Sequence, residues 1–151
     1  MEEALGMGTA SRNLINICVE KSINGEIAGE FYCCYFDEPQ KFDNIVQLLR
    51  SMEQFYNWIS FPQSAVQLRN FAGAKFEPAL GKISEKPVLD RNYMIERRGA
   101  CATFLVYVQY RQNATWQGTV LWAESGRREE FKSALELIMI IDNILRFGEE
   151  G

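Results

Sequence analysis

The chain has 151 residues, 47% of them hydrophobic and 13% aromatic, which suits one packed domain and is too apolar for a disordered polypeptide. Sixteen Lys and Arg against 20 Asp and Glu leave a net charge of −4, so no overall field favours nucleic acid or an anionic membrane. Histidine is absent, which excludes Ser–His, Cys–His and His-ligated metal chemistry within one chain.

The N-terminal run Met1-Glu2-Glu3-Ala4-Leu5-Gly6 carries neither the basic nor the apolar region of a signal peptide. The longest aliphatic run, Leu137 to Ile141, is far short of the roughly 20 residues a spanning helix needs. A cytoplasmic protein with no membrane association is therefore expected. The first element is a strand, because Ile15 to Glu20 alternates with period 2. Asn24-Gly25 is suited to a type I′ hairpin turn, after which Ile27 to Cys33 alternates again. A helix starts at Asn44, with Gln47 completing a capping box, and buries Ile45, Leu48, Leu49, Met52, Phe55 and Tyr56 on one stripe.

Residues 57–72 stay apolar through Trp58, Phe61, Val66, Leu68 and Phe71 and are expected to pack, with a short helix near Ser64. Residues 73–92 read as a linker, and Tyr93 to Ala102 as an edge strand. A second hairpin follows, with Phe104, Val106 and Val108 on its first strand. Its turn carries Asn113-Ala114, where alanine at positive φ is costly, so the two tips should differ. A second capped helix starts at Ser133, with Glu136 three residues on. Its stripe is Ala134, Leu137, Ile138, Ile141, Ile144 and Leu145, while Leu135, Met139 and Ile140 lie off it. A helix apolar nearly all round is covered on more than one side. The tail from Gly148 should fray.

Residues 15–56 lie on 104–145 without a gap, at a constant offset of 89 residues (104 minus 15). Asn24 falls on Asn113, Gly29 on Gly118, Phe42 on Phe131 and Leu48 on Leu137. The fold class expected is α+β: two β-β-α repeats, about 13–58 and 102–147, joined by 59–101 in a single domain. A pseudo-twofold relates them, giving an antiparallel sheet of four or more strands with two helices on one face. Gly29 and Gly118 are expected where a side chain would meet the helix above.

The run Tyr110 to Val120 followed by Phe131 to Leu137, and the stretches Phe61 to Ser64 and Arg69 to Phe71, resemble uncharacterised small tandem-repeat proteins of clostridial-type bacteria. The resemblance implies a bacterial origin and carries no activity with it.

Asn113-Ala114-Thr115-Trp116-Gln117-Gly118 is similar to the second half of the PilZ signature for cyclic di-GMP, but Arg91, Arg97 and Arg98 have the wrong spacing for the first half. The recurrence of Asn113 and Gly118 as Asn24 and Gly29 makes them hairpin parts instead. Gly81-Lys82-Ile83-Ser84 lacks the earlier glycine of a phosphate loop, where Phe76 stands, and Gly6-Met7-Gly8 lacks a third glycine. Trp116, Trp122, Tyr107 and Tyr110 beside Arg97, Arg98, Arg111, Arg127 and Arg128 form a mix used for single-stranded nucleic acid. Three of those aromatics share the core phase of their strands, and Glu129-Glu130 offsets Arg127-Arg128, so nucleic acid is not expected as a partner. The four cysteines, Cys18, Cys33, Cys34 and Cys101, form no C-x-x-C pair and read as reduced thiols, with Cys34 off the core phase. No metal site, cofactor or catalytic constellation is expected.

The leading functional expectation is a non-catalytic binding or assembly protein acting through protein–protein contacts. A small-ligand or nucleotide-binding protein using the groove between the repeats is the alternative, and an enzyme of unknown class the third. The expected contact residues are Arg111, Gln112 and Asn113 at the second hairpin tip, with Arg97 and Arg98 as neighbours. The sheet face away from the helices, with Tyr32, Phe36, Tyr107 and Leu121, is too apolar for open solvent. Either 57–72, the linker or a second copy should cover it. With Met139 on the second helix, these residues predict a homodimer interface.

Overall fold

The computed structural model describes residues 13–59, 88–112 and 115–147. Strand β1 (Leu14–Ile23) turns into β2 (Glu26–Tyr32) through Asn24 at φ 52° and Gly25 at φ 83°. Two successive positive φ values are what a type I′ turn requires, and Asn-Gly supplies them at little cost. Strand β3 (Gln40–Phe42) follows, then helix α1 (Ile45–Ile59). The chain re-enters the described region before the short helix α2 (Arg91–Ile95), and continues through β4 (Ala102–Gln112), β5 (Thr115–Trp122), β6 (Arg127–Phe131) and α3 (Ala134–Phe147).

The strands form one six-stranded sheet in the order β3-β2-β1-β4-β5-β6, every neighbouring pair antiparallel. With three helices among the described residues, the fold is α+β. Both longer helices lie on one face. Leu48, Met52, Phe55 and Tyr56 of α1 and Leu137, Ile141 and Ile144 of α3 share a core with Ile15, Ile17, Val19, Phe31, Val106, Val108 and Val120.

The helix starts behave as their sequences direct. Asn44 Oδ1 accepts from the Gln47 N–H at 2.8 Å, while Gln47 Oε1 accepts from the Asp43 N–H at 2.7 Å. At α3, Ser133 Oγ accepts from the Glu136 N–H at 3.0 Å and Glu136 Oε1 from the Lys132 N–H at 2.9 Å. Each box satisfies two backbone donors that the helix would otherwise leave unpaired.

The second face is covered from within the chain. Asp90 caps α2, its carboxylate accepting from the Tyr93 N–H at 3.1 Å. Met94 and Ile95 then seal Leu14, Leu105 and Leu121. Burying two such side chains is worth about 1.5–3 kcal/mol each. Asn16, fully buried on β1, donates to the Met94 carbonyl at 2.7 Å and the Arg97 carbonyl at 3.0 Å, which fastens the C-terminal end of α2 to the sheet.

Several expectations are corrected here. Tyr93 to Ala102 is a capped helical turn and a loop rather than an edge strand. The edges are β3 and β6, which the alternation rule passed over. Leu121 is buried beneath α2 and is unavailable to a second copy. Phe36 does not lie on the α2 face at all. Strand β2 ends at Tyr32, and beyond it the alternation no longer holds, so Phe36 turns into the helix-side core against Phe31 and Phe55, with ring centroids 6.3 and 5.7 Å away. Gly29 and Gly118 meet strand backbone, not a helix. Pairing shifts between Val19 and Lys21 on β1 and between Val108 and Tyr110 on β4. At those bulges a Cβ on Gly29 would run into the Cys18 carbonyl, and one on Gly118 into the Tyr107 carbonyl. The expected packing of 60–72, the linker through residue 87, the glycine-rich look-alikes near residues 6 and 81, and the tail from 148 lie outside the described residues.

Candidate functional site

The arginines named from sequence serve the backbone around them. Arg97 lies over the Tyr93 ring, 4.1 Å from its centroid, and its Nε donates to the Tyr93 carbonyl at 3.1 Å. Arg98 donates to the carbonyls of Ile95 at 2.7 Å and Arg97 at 2.9 Å. Both finish α2, where unpaired helix carbonyls favour cations. They are not neighbours of the second hairpin tip. The Arg97 carbonyl is held by Asn16, which pairs with Leu105, and Arg111 stands six residues further along β4. That is roughly 20 Å at ~3.3 Å per residue. The backbone of Arg111 and Gln112 pairs with Trp116 and Thr115. Their side chains, and Asn113 with Ala114, lie outside the described residues.

Of the expected interface residues, Tyr32 and Tyr107 are half-buried beside α2, and Met139 alone is well exposed, at 61%. It stands on α3 between Leu135, 64% exposed, and Phe147, 49% exposed. Positions i and i+4 are neighbours on the outer side of a helix, so Leu135 and Met139 form an apolar pair facing away from the core, while Phe147 stands two turns further on, beyond the exposed Asn143.

On the sheet's helix side, the two hairpins meet the helices differently. Trp116 of β5 is 4% exposed; its Nε1 donates to Glu53 of α1 at 2.8 Å, and its ring stands edge-on to Tyr56 with centroids 5.6 Å apart. Tyr56 in turn donates to the Asn13 carbonyl at 3.3 Å, and the Asn13 amide donates to the Val108 carbonyl. The first hairpin instead meets α3 across an open groove of about 570 Å³, lined by Ser22, Asn24, Gly25, Asp142, Leu145 and Arg146. The sequence points to a groove between the repeats, but the contact residues it singles out belong to the other tip. At the constant offset, Trp116 answers to Ile27 and Tyr56 to Leu145.

Comparison with protein-family models, with curated proteins and with solved structures found no match. The chemistry therefore rests on these residues alone. Among the described residues, no group of three or more His, Cys, Asp or Glu could hold a metal ion, and no helix is long and apolar enough to cross a membrane.

The thiols differ sharply. Burial pushes Cys18 and Cys33 from an ordinary 9.0 to about 12. Burial also raises Cys34, with Arg91 opposing it, whereas Cys101 is exposed. Since the thiolate is the nucleophile, iodoacetamide at neutral pH should label Cys101 first and leave Cys18 and Cys33 unmodified until the chain unfolds, as intact mass and peptide mapping will register. The same burial has a sign in pH. The folded state holds the two protons more tightly than the unfolded state, so the stability they contribute is complete below about pH 9 and is lost as pH rises toward 12.

Proposed function

We propose that this chain is a non-catalytic binding and assembly protein that pairs with a second copy of itself through α3. The observation that carries the reading is the outward apolar pair of Leu135 and Met139, one helical turn apart. Glu136 lies in the first turn of α3 and Arg146 in the last. Antiparallel pairing of two α3 helices sets the acidic turn of one copy against the basic turn of the other and opposes their macrodipoles. At the equivalent positions α1 has Val46, itself exposed, and Arg50, so a charge interrupts on α1 what Leu135 and Met139 keep apolar on α3.

Behind this lies a tandem duplication, with the two units related by a pseudo-twofold between β1 and β4. Supporting it, Val19 pairs with Gly29 as Val108 does with Gly118, and Gly29 pairs with Phe42 as Gly118 does with Phe131. The bulges and both capping boxes recur at the same 89-residue offset (108 minus 19). One copy of such a unit is free to keep the internal packing while the other acquires a binding surface.

The test is mass by light scattering at micromolar concentration. The native chain should run as a dimer, and the pair Leu135→Glu with Met139→Glu as a folded monomer, because a charge in an apolar interface has no partner there. A native chain that is monomeric at that concentration would end this reading. A second reading, ligand binding where the two units meet, is favoured by the groove beside Gly25 and Asp142.

A further inference from the structure

We propose that the groove between the first hairpin tip and α3 binds an indole ring, with the Asp142 carboxylate accepting its N–H. The inference deepens the ligand reading above and rests on the equivalence of the two units. Beside the second hairpin, an indole of the chain itself meets a helix carboxylate. The Trp116 indole lies along α1, donating to Glu53 at 2.8 Å, with Tyr56 edge-on to it. The equivalent set has Ile27 of the first unit with Asp142 and Leu145 of the second at these three positions. The carboxylate is retained, while the donor ring and its aromatic wall are replaced by two shorter aliphatic side chains.

Ile27 is buried in the core and does not line the groove. What remains is the open groove, with Asp142 and Leu145 on the helix side and Ser22, Asn24 and Gly25 on the hairpin side. Gly25 lies close beside the carboxylate, where a Cβ would be in ordinary contact at 3.7 Å from Asp142 Oδ1, and its φ of 83° holds the position for glycine. Arg146 pairs with Asp142 at a long 3.6 Å, and its guanidinium already lies over one aromatic ring, that of Phe147, at 4.9 Å. A cation beside a carboxylate suits a ligand with an electron-rich face and an acidic N–H edge, and indole has both. The ring can come from free tryptophan or from a tryptophan side chain on a partner segment. The recognition chemistry is the same.

The experiment is a titration of the full chain, isotope-labelled, with indole, 1-methylindole, L-tryptophan and N-acetyl-L-tryptophanamide, following amide shifts of Asn24, Gly25 and Asp142. Indole should move these amides at millimolar concentration. 1-Methylindole, which has no N–H, should bind about tenfold more weakly, as a hydrogen bond to a charged group predicts. Asp142→Ala, at a partly exposed site, should keep its Tm and lose indole affinity by about the same factor. Binding of the amide derivative without free tryptophan assigns the ring to a partner chain; the reverse assigns it to the amino acid. No response to any indole, or equal binding of 1-methylindole, overturns the proposal. Ile27→Trp with Leu145→Tyr separates this from the duplication reading. If the variant folds and closes the groove while the native chain ignores indole, the equivalence stands and the binding proposal falls. If the native chain binds indole and the folded variant still does, the binding stands and the equivalence falls.

Discussion

Phe55→Ala should lower stability by about 3–5 kcal/mol, the range for deleting a buried aromatic ring. Phe55 is fully buried, and its ring lies 6.2 Å from Tyr35, 5.7 Å from Phe36 and 5.3 Å from Tyr56, centroid to centroid. Three neighbours that are themselves rigid rings cannot collapse into the space, so most of the cavity persists. Each lost ring contact adds about 0.5–1.5 kcal/mol to the lost transfer free energy. Urea denaturation should show the midpoint falling with the slope unchanged. The companion measurement is Val46→Ala, which trims a side chain 57% exposed and should change the stability of the folded chain by no more than about 0.5 kcal/mol. A Phe55 effect as small as that would contradict the packing described for α1.

The difference between those two residues is legible in the sequence, because Phe55 lies on the helix stripe and Val46 off it. Strands β1, β2, β4 and β5, the Asn24-Gly25 turn and both capping boxes were legible for the same reason: each depends on local chemistry that repeats at a known period. The edges were not. Gln40–Phe42 is too short to display a period, and Arg127 to Glu130 reads as a charged loop because an edge strand paired on one side keeps polar residues facing water. Helix α2 escaped because its single cap, Asp90, serves only five residues, and its packing against Leu14, Leu105 and Leu121 is wholly long-range. Phe36 was misplaced by counting alternation beyond the end of β2. The groove was hidden for a different reason. It lies between the first hairpin tip and α3, elements far apart in the chain, and no local motif marks such a space.

Gly29→Ala and Gly118→Ala should each destabilise the chain by about 3 kcal/mol, the upper end for overpacking, although each adds only one methyl group. On an ordinary strand the same change would be neutral or favourable, since alanine restricts the unfolded chain more than glycine. Here the extra residue of each bulge, Glu20 on β1 and Gln109 on β4, turns the neighbouring strand so that its backbone carbonyl closes on the glycine Cα. The obstructing atoms are the carbonyls of Cys18 and Tyr107, and backbone within the middle of a six-stranded sheet cannot swing aside as a long side chain can. Relief would require the bulge to open, which disturbs the β1–β2 or β4–β5 ladder and, through Phe42 and Phe131 opposite the two glycines, the attachment of each edge strand. Gly126 is the control. Its φ is 78°, and an added Cβ meets nothing within 4 Å, so Gly126→Ala should cost only the backbone strain of positive φ, about 1 kcal/mol. Thermal unfolding of the three variants should therefore rank Gly126→Ala well above the other two, with Gly29→Ala and Gly118→Ala close together because the same carbonyl approach occurs at both. A Gly118→Ala variant as stable as the native chain would show that the β4 bulge yields, and the glycine would then have no steric cause.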